Sequence, residues 1–73
     1  MSFELLTKRE KEIARLYGKT SLSQKDIGKK LFISSTTVKT HIKNIYRKLG
    51  VNNRISVVLT IMYEDSEGKL KNV

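Results

Sequence analysis

The chain contains no cysteine, no proline and no tryptophan, and a single histidine among its 73 residues. Without cysteine there is no disulfide framework, no thiolate zinc site and no thiol nucleophile, and one histidine cannot build an imidazole metal site on its own. No metal site and no cofactor are expected. Long hydrophobic runs are missing too. No apolar stretch approaches the roughly 18 residues that span a bilayer, and residues 1–10 lack the basic, then apolar, then small pattern of a secretory signal. The expectation is a cytoplasmic protein without a membrane partner. Length excludes more: a chain this short buries only about 60% of the surface its unfolded form exposes, which leaves one modest core and no room for a deep catalytic or ligand pocket. Neither an enzyme nor a small-molecule binder is expected, and residues 1–73 read as one domain.

Acidic residues are scarce, seven against fifteen Lys and Arg, for a formal charge of +8. The excess is localised: residues 24–54 hold eight bases and one acid, a net +7, whereas residues 64–73 hold three acids and two bases. A basic domain of this size points to a phosphate-bearing partner, nucleic acid ahead of a membrane surface.

With no sustained alternation of apolar and polar residues, helices are the only long periodic signal, so the fold is expected to be all-α. Thr7 followed by Glu10 forms a capping box that opens a first helix, about 8–17, with Ile13, Leu16 and Tyr17 on one stripe and Gly18 as its stop. Ser23 with Asp26 repeats the capping logic before a short second helix, about 24–31, carrying Ile27 and Leu31. Gly28 inside it is costly unless another backbone packs close. Ser34 is the next cap candidate, so the second and third helices must join through a tight turn.

The third helix, about 35–48, has the clearest pattern. Val38, Ile42, Ile45 and Leu49 share one face, with His41 and Tyr46 at its shoulders; Thr36, Thr40, Lys43, Asn44 and Arg47 share the opposite one, with Lys39 at an edge. The helix contains no acid. A solvated helix mixes signs, so an acid-free face of Lys, Arg, Asn and Thr suits an anionic partner. Gly50 closes this helix and Asn53 opens a fourth, about 54–63, in which Ile55, Val58, Leu59 and Met62 form a stripe while Val57, Ile61 and Tyr63 lie off it. Apolar residues on more than one side mean either a wide buried stripe or contact with a second chain; Val57, Val58, Ile61 and Met62 are the expected dimer interface. Residues 64–73 lack an apolar pattern and read as a frayed tail.

A short helix, a tight turn and a longer polar-faced helix make a helix-turn-helix pattern, and the residues themselves resemble the LuxR/GerE-type DNA-binding domain. LLTKREKEIA at 5–14 is similar to that family's L-T-x-R-E-x-E opening, and QKDIGKKL at 24–31 to its N-K-E-I-A-x-x-L. FISSTTVKTHIKNIYRKLGVNNR at 32–54 is close to I-S-x-x-T-V-K-x-H-x-x-x-I-x-x-K-L followed by G-V-x-x-R. Gly28 and Val57 stand where the family usually has Ala. The resemblance implies a tri-helical core with a C-terminal fourth helix, and a third helix that enters the major groove of double-stranded DNA.

It also implies base-edge contacts at Lys39, Thr40 and Lys43, of which the helical wheel independently turns Thr40 and Lys43 outward. Lys can donate to guanine O6 and N7, and the Thr methyl can meet a thymine methyl. Ser34, Thr36, Thr37, Asn44, Arg47, Lys48 and Arg54 are expected at phosphates, since hydroxyls, amides and long cations near helix ends position a duplex without reading it. His41 reads as a packed or hydrogen-bonded neutral imidazole with no catalytic or metal role, and Tyr46 as a core residue with its hydroxyl at the surface. The function expected is therefore a bacterial transcriptional regulator, or the output domain of one, acting at the nucleoid. It would bind DNA as a homodimer through the fourth helix, with RNA polymerase as a further partner. A sigma-factor-like module that contacts polymerase or another protein is the alternative, and a structured-RNA binder a weaker one, because few aromatics are left to stack on bases.

Overall fold

Four side chains set where the helices begin. The hydroxyl of Thr7 accepts from the Glu10 N–H at 3.1 Å while the Glu10 carboxylate accepts from the Thr7 N–H at 2.9 Å, the reciprocal capping box. Ser23 accepts from the Asp26 N–H, Ser34 from the Thr37 N–H and the Asn53 amide oxygen from the Ser56 N–H. Each such cap contributes about 1 kcal/mol. The computed structural model describes the backbone of residues 2–71 and the side chains of residues 3–64. The resulting helices are α1 (Lys8–Lys19), α2 (Gln24–Leu31), α3 (Ser35–Leu49) and α4 (Arg54–Lys71), preceded by a 3-10 turn at Ser2–Leu5, with no strand among the described residues.

α2 and α3 end alike. The Ile33 N–H reaches the Gly28 carbonyl at 2.9 Å and the Val51 N–H reaches the Tyr46 carbonyl at 3.0 Å, each across a residue in left-handed conformation. At the end of α3 that residue is Gly50, φ 70°; at the end of α2 it is Phe32, φ 60°, whose ring is 95% exposed. The close approach expected at Gly28 is present, since a Cβ there would lie 2.6 Å from the Ile33 carbonyl oxygen. That contact lets the chain turn from α2 into α3 within three residues.

Of the stripes expected in α1, α2 and α3, Ile13, Tyr17, Ile27, Val38, Ile42, Ile45 and Leu49 are buried together with Ala14, while Leu16 and Leu31 are half-buried against the same core. Phe3 and Leu6 join them from the N-terminal segment. Two expectations about element ends are corrected. Gly18 does not stop α1, which runs on to Lys19; a Cβ at Gly18 would meet Ile61 Cγ1 at 3.1 Å, so this glycine admits α4 against α1. The tail expected to fray from residue 64 continues α4 as far as Lys71. Once a packed segment has nucleated a helix, each added residue gains one hydrogen bond without needing an apolar face. Asn72 and Val73 lie outside the described residues.

The third correction concerns the orientation of α4. Val57 and Ile61, expected at a dimer interface, are 0% and 1% exposed and pack inside this chain's own core. Ile55, Leu59 and Met62 face outward at 71%, 59% and 60% exposure. Both stripes are apolar, so periodicity alone could not choose between them; the bare surface at Gly18 selects the one that packs on α1. None of the helices is long and apolar enough to cross a membrane among the described residues.

Candidate nucleic-acid interface

α3 is buried along Val38, Ile42, Ile45 and Leu49, and this fixes what its other side presents. Thr36, Thr37, Lys39, Thr40, Lys43 and Arg47 are exposed and Asn44 is half-buried. Local hydrogen bonds hold this face in shape. Thr40 Oγ1 donates to the Thr36 carbonyl at 3.2 Å, Arg47 donates to the Asn44 amide oxygen at 3.2 Å, and the Ser34 and Thr37 hydroxyls lie 2.8 Å apart. Among the described residues, neither Lys39 nor Lys43 has an ion-pair partner, so both ammonium groups are available to an external anion. The face therefore combines cations, hydroxyls and an amide without a competing carboxylate.

Two residues expected at phosphates, Lys48 and Arg54, have partners within the protein. Lys48 Nζ lies 2.7 Å from the Glu10 carboxylate, tying the last turn of α3 to the first turn of α1. Burial pushes the Glu10 carboxyl up, but hydrogen bonds from Lys48 and the Thr7 N–H, together with the Lys48 charge, outweigh it, and the net displacement is below the ordinary 4.5. Arg54 donates from Nε to the Tyr17 carbonyl at 2.9 Å and from Nη2 to the carbonyls of Thr20 at 3.0 Å and Leu22 at 2.7 Å. Its guanidinium also lies 4.2 Å from the centre of the Tyr17 ring. One carbonyl in the last turn of α1 and two after it are thereby satisfied, so Arg54 shapes the link to α2. Both partners lie more than thirty positions away in the chain, a separation over which local spacing carries no signal. Ser34 likewise spends its hydroxyl on the cap of α3, leaving the helix start itself as an anion-facing element.

Tyr46, expected at a core shoulder, is half-buried, and its hydroxyl lies 2.7 Å from that of Tyr17. Burial and the Tyr17 contact push its pKa up to about 12 despite the nearby Arg54 charge. His41 is half-buried as expected. Among the described residues no cluster of His, Cys, Asp or Glu could hold a metal ion.

A short helix joined by three residues to a longer one with a polar outward face, both braced by a preceding helix, defines a helix-turn-helix domain. The sequence places it more narrowly. Residues 4–61 match the model of the bacterial regulatory proteins of the luxR family, GerE, and the chain belongs to that family. The family is one of regulatory proteins and not of enzymes. The chain is 43% identical to the spore germination protein GerE of Bacillus subtilis over 58 residues, covering 80% of this chain and 77% of that protein. It is 57% identical over 53 residues to the transcriptional regulatory protein LiaR of B. subtilis, covering 70% of this chain and 24% of that one. Against the CsgBAC operon transcriptional regulatory protein of Escherichia coli it is 46% identical over 54 residues, covering 74% and 24%. It spans 6% of the mycobacterial HTH-type regulators it matches.

Proposed function

We propose that this domain binds double-stranded DNA sequence-specifically as the DNA-contacting part of a bacterial transcriptional regulator, with α3 in the major groove. The observation that carries the reading is the exposed, acid-free face of α3, on which Thr40 and Lys43 stand at the centre with Lys39 at its edge. Thr40 and Lys43 read base edges, and Lys39 reaches the adjacent base or phosphate. Thr36, Thr37, Asn44, Arg47 and the α3 start near Ser34 hold the sugar-phosphate backbone. Relatives named as transcriptional regulators support the same reading.

The binding unit is a homodimer. Its contact is the exposed face of α4, namely Ile55, Leu59 and Met62 with half-buried Val58 at its border, since an apolar strip of this kind left in water favours association. The two α3 helices then address half-sites about 10 bp apart. The domain works in the cytoplasm, at the nucleoid.

Selection of bound sequences from a random duplex pool tests the reading: a two-fold symmetric consensus is expected, and a bound pool without enrichment would overturn it. Lys43→Ala should relax the preference at one base of each half-site. Arg47→Ala should weaken all duplexes alike and lower the salt slope by about one unit.

A further inference from the structure

Along one edge of the outward face of α3, Lys39, Lys43 and Tyr46 are spaced i, i+4 and i+7, with Ile42 beneath them. Where the start of α2 meets this edge there is a cleft of about 270 Å³ lined by Gln24, Lys39, Ile42, Lys43 and Tyr46. Its lining residues are two lysines, a glutamine and a tyrosine, with Ile42 the aliphatic one. No carboxylate lines it. Asp26, the one acid of α2, stands about 200° around the helix from Gln24.

The phenol has an unusual setting. Tyr17 and Tyr46 face each other hydroxyl to hydroxyl at 2.7 Å, and only one proton can lie between two oxygens. Tyr17 is buried and Tyr46 borders the cleft. An anion in the cleft settles the direction. Tyr46 turns its own proton toward the anion and accepts the Tyr17 proton in return. A hydroxyl that accepts one hydrogen bond donates a stronger one, so the buried tyrosine strengthens the donor at the cleft.

We propose that this cleft holds one backbone phosphate of the bound duplex. Tyr46 and Gln24 act as neutral donors to it and Lys39 as its counter-charge, with Tyr17 as a positioning residue behind Tyr46. This inference rests on the DNA-binding reading above and adds to it a phosphate contact made by an uncharged side chain on the shoulder of the recognition helix. A neutral donor has a thermodynamic mark that a lysine lacks: it strengthens binding without displacing a condensed counterion, so its removal lowers affinity and leaves the salt slope unchanged.

The test uses the full chain and a duplex carrying its selected site. Tyr46→Phe, which keeps the ring and deletes the hydroxyl, should weaken binding about three- to tenfold. The loss should be equal for the selected site and for single-base variants, with the slope of log affinity against log salt unaltered. Lys39→Ala should weaken binding and lower that slope by about one unit. Tyr17→Phe/Tyr46→Phe removes both hydroxyls and so leaves no unpaired one. It should regain the thermal midpoint that Tyr46→Phe loses while binding remains weak, which separates contact from folding. Replacing phosphates one at a time by neutral methylphosphonates should find one position per half-site at which wild type loses more affinity than Tyr46→Phe, which retains only the Lys39 and Gln24 contacts there. Unchanged affinity of Tyr46→Phe, or equal sensitivity of both proteins at every phosphate, would overturn the phosphate site while duplex binding stands. No binding of any duplex by wild type would overturn the DNA-binding reading itself.

Discussion

Phe32 carries two costs in one residue. It holds φ at 60°, which an L-residue does at roughly 1–2 kcal/mol, and it leaves an aromatic ring 95% exposed. Gly50 closes α3 in the same way without either cost. Phe32→Gly should therefore raise stability by about 1 kcal/mol, seen as a higher urea midpoint at unchanged slope; an unchanged or lower midpoint would mean that the ring contributes to the folded state despite its exposure. Glu10 is the opposite case, a nearly buried carboxylate whose every interaction is local or paired. Its folded pKa is lowered, so the stability it contributes is complete above its ordinary value of 4.5 and is lost as pH falls through the lowered one. Glu10→Gln should cost about 1–3 kcal/mol at neutral pH and flatten the acid limb of the stability curve. Lys48→Met should act in the same direction, and denaturant titrations from neutral pH into the acid range would check both. Duplex binding, by contrast, should follow Lys48 only through folding, since its ammonium is committed to Glu10.

Among the helices, α1, α2 and α3 were largely legible in the sequence. Their caps are side-chain chemistry at fixed offsets, and each has one apolar stripe that can face only inward. α4 was not legible to the same degree, because Val57 and Ile61 form one apolar stripe and Ile55, Leu59 and Met62 another. The choice between them depends on Gly18, nearly forty residues earlier in the chain. The outward face of α3 was legible for a related reason: once Val38, Ile42, Ile45 and Leu49 are inside, Thr36, Thr40, Lys43 and Arg47 have nowhere else to go. The internal partners of Arg54 and Lys48 are not legible in local spacing, because a cation's partner is a tertiary fact. The Tyr46 hydroxyl, expected at the surface, meets Tyr17 between two helices, a partner that local spacing does not show. The corrected α4 yields a paired expectation. Leu59→Glu should leave the thermal midpoint nearly unchanged, since the position is exposed, and should abolish self-association measured by sedimentation. Val57→Glu should unfold the domain, because it buries a charge without a partner in the core. Intact self-association of Leu59→Glu would remove the dimer contact from this face.

At the scale of the whole molecule, the proposed dimer would bring the +7 of residues 24–54 and the apolar strip on α4 into one assembly. A strip that pairs with its own copy generates two-fold symmetry and fixes the distance between the two α3 helices. The dimer then meets DNA only where two half-sites share a face of the duplex at that separation. Inserting about 5 bp between half-sites rotates one of them by roughly half a turn, and inserting about 10 bp restores the rotation but adds roughly 34 Å. Both insertions should reduce affinity to that of a duplex with one half-site. A flexibly tethered pair would instead recover at the full-turn insertion. Salt dependence gives an independent reading of the same geometry. Each protomer displaces counterions in proportion to the phosphates its cations meet, so the slope of log affinity against log salt for the correctly spaced site should be about twice that for either insertion. A slope that stays constant while affinity falls would mean that the second protomer remains on the backbone without its bases, and would separate the contribution of α4 pairing from that of base reading.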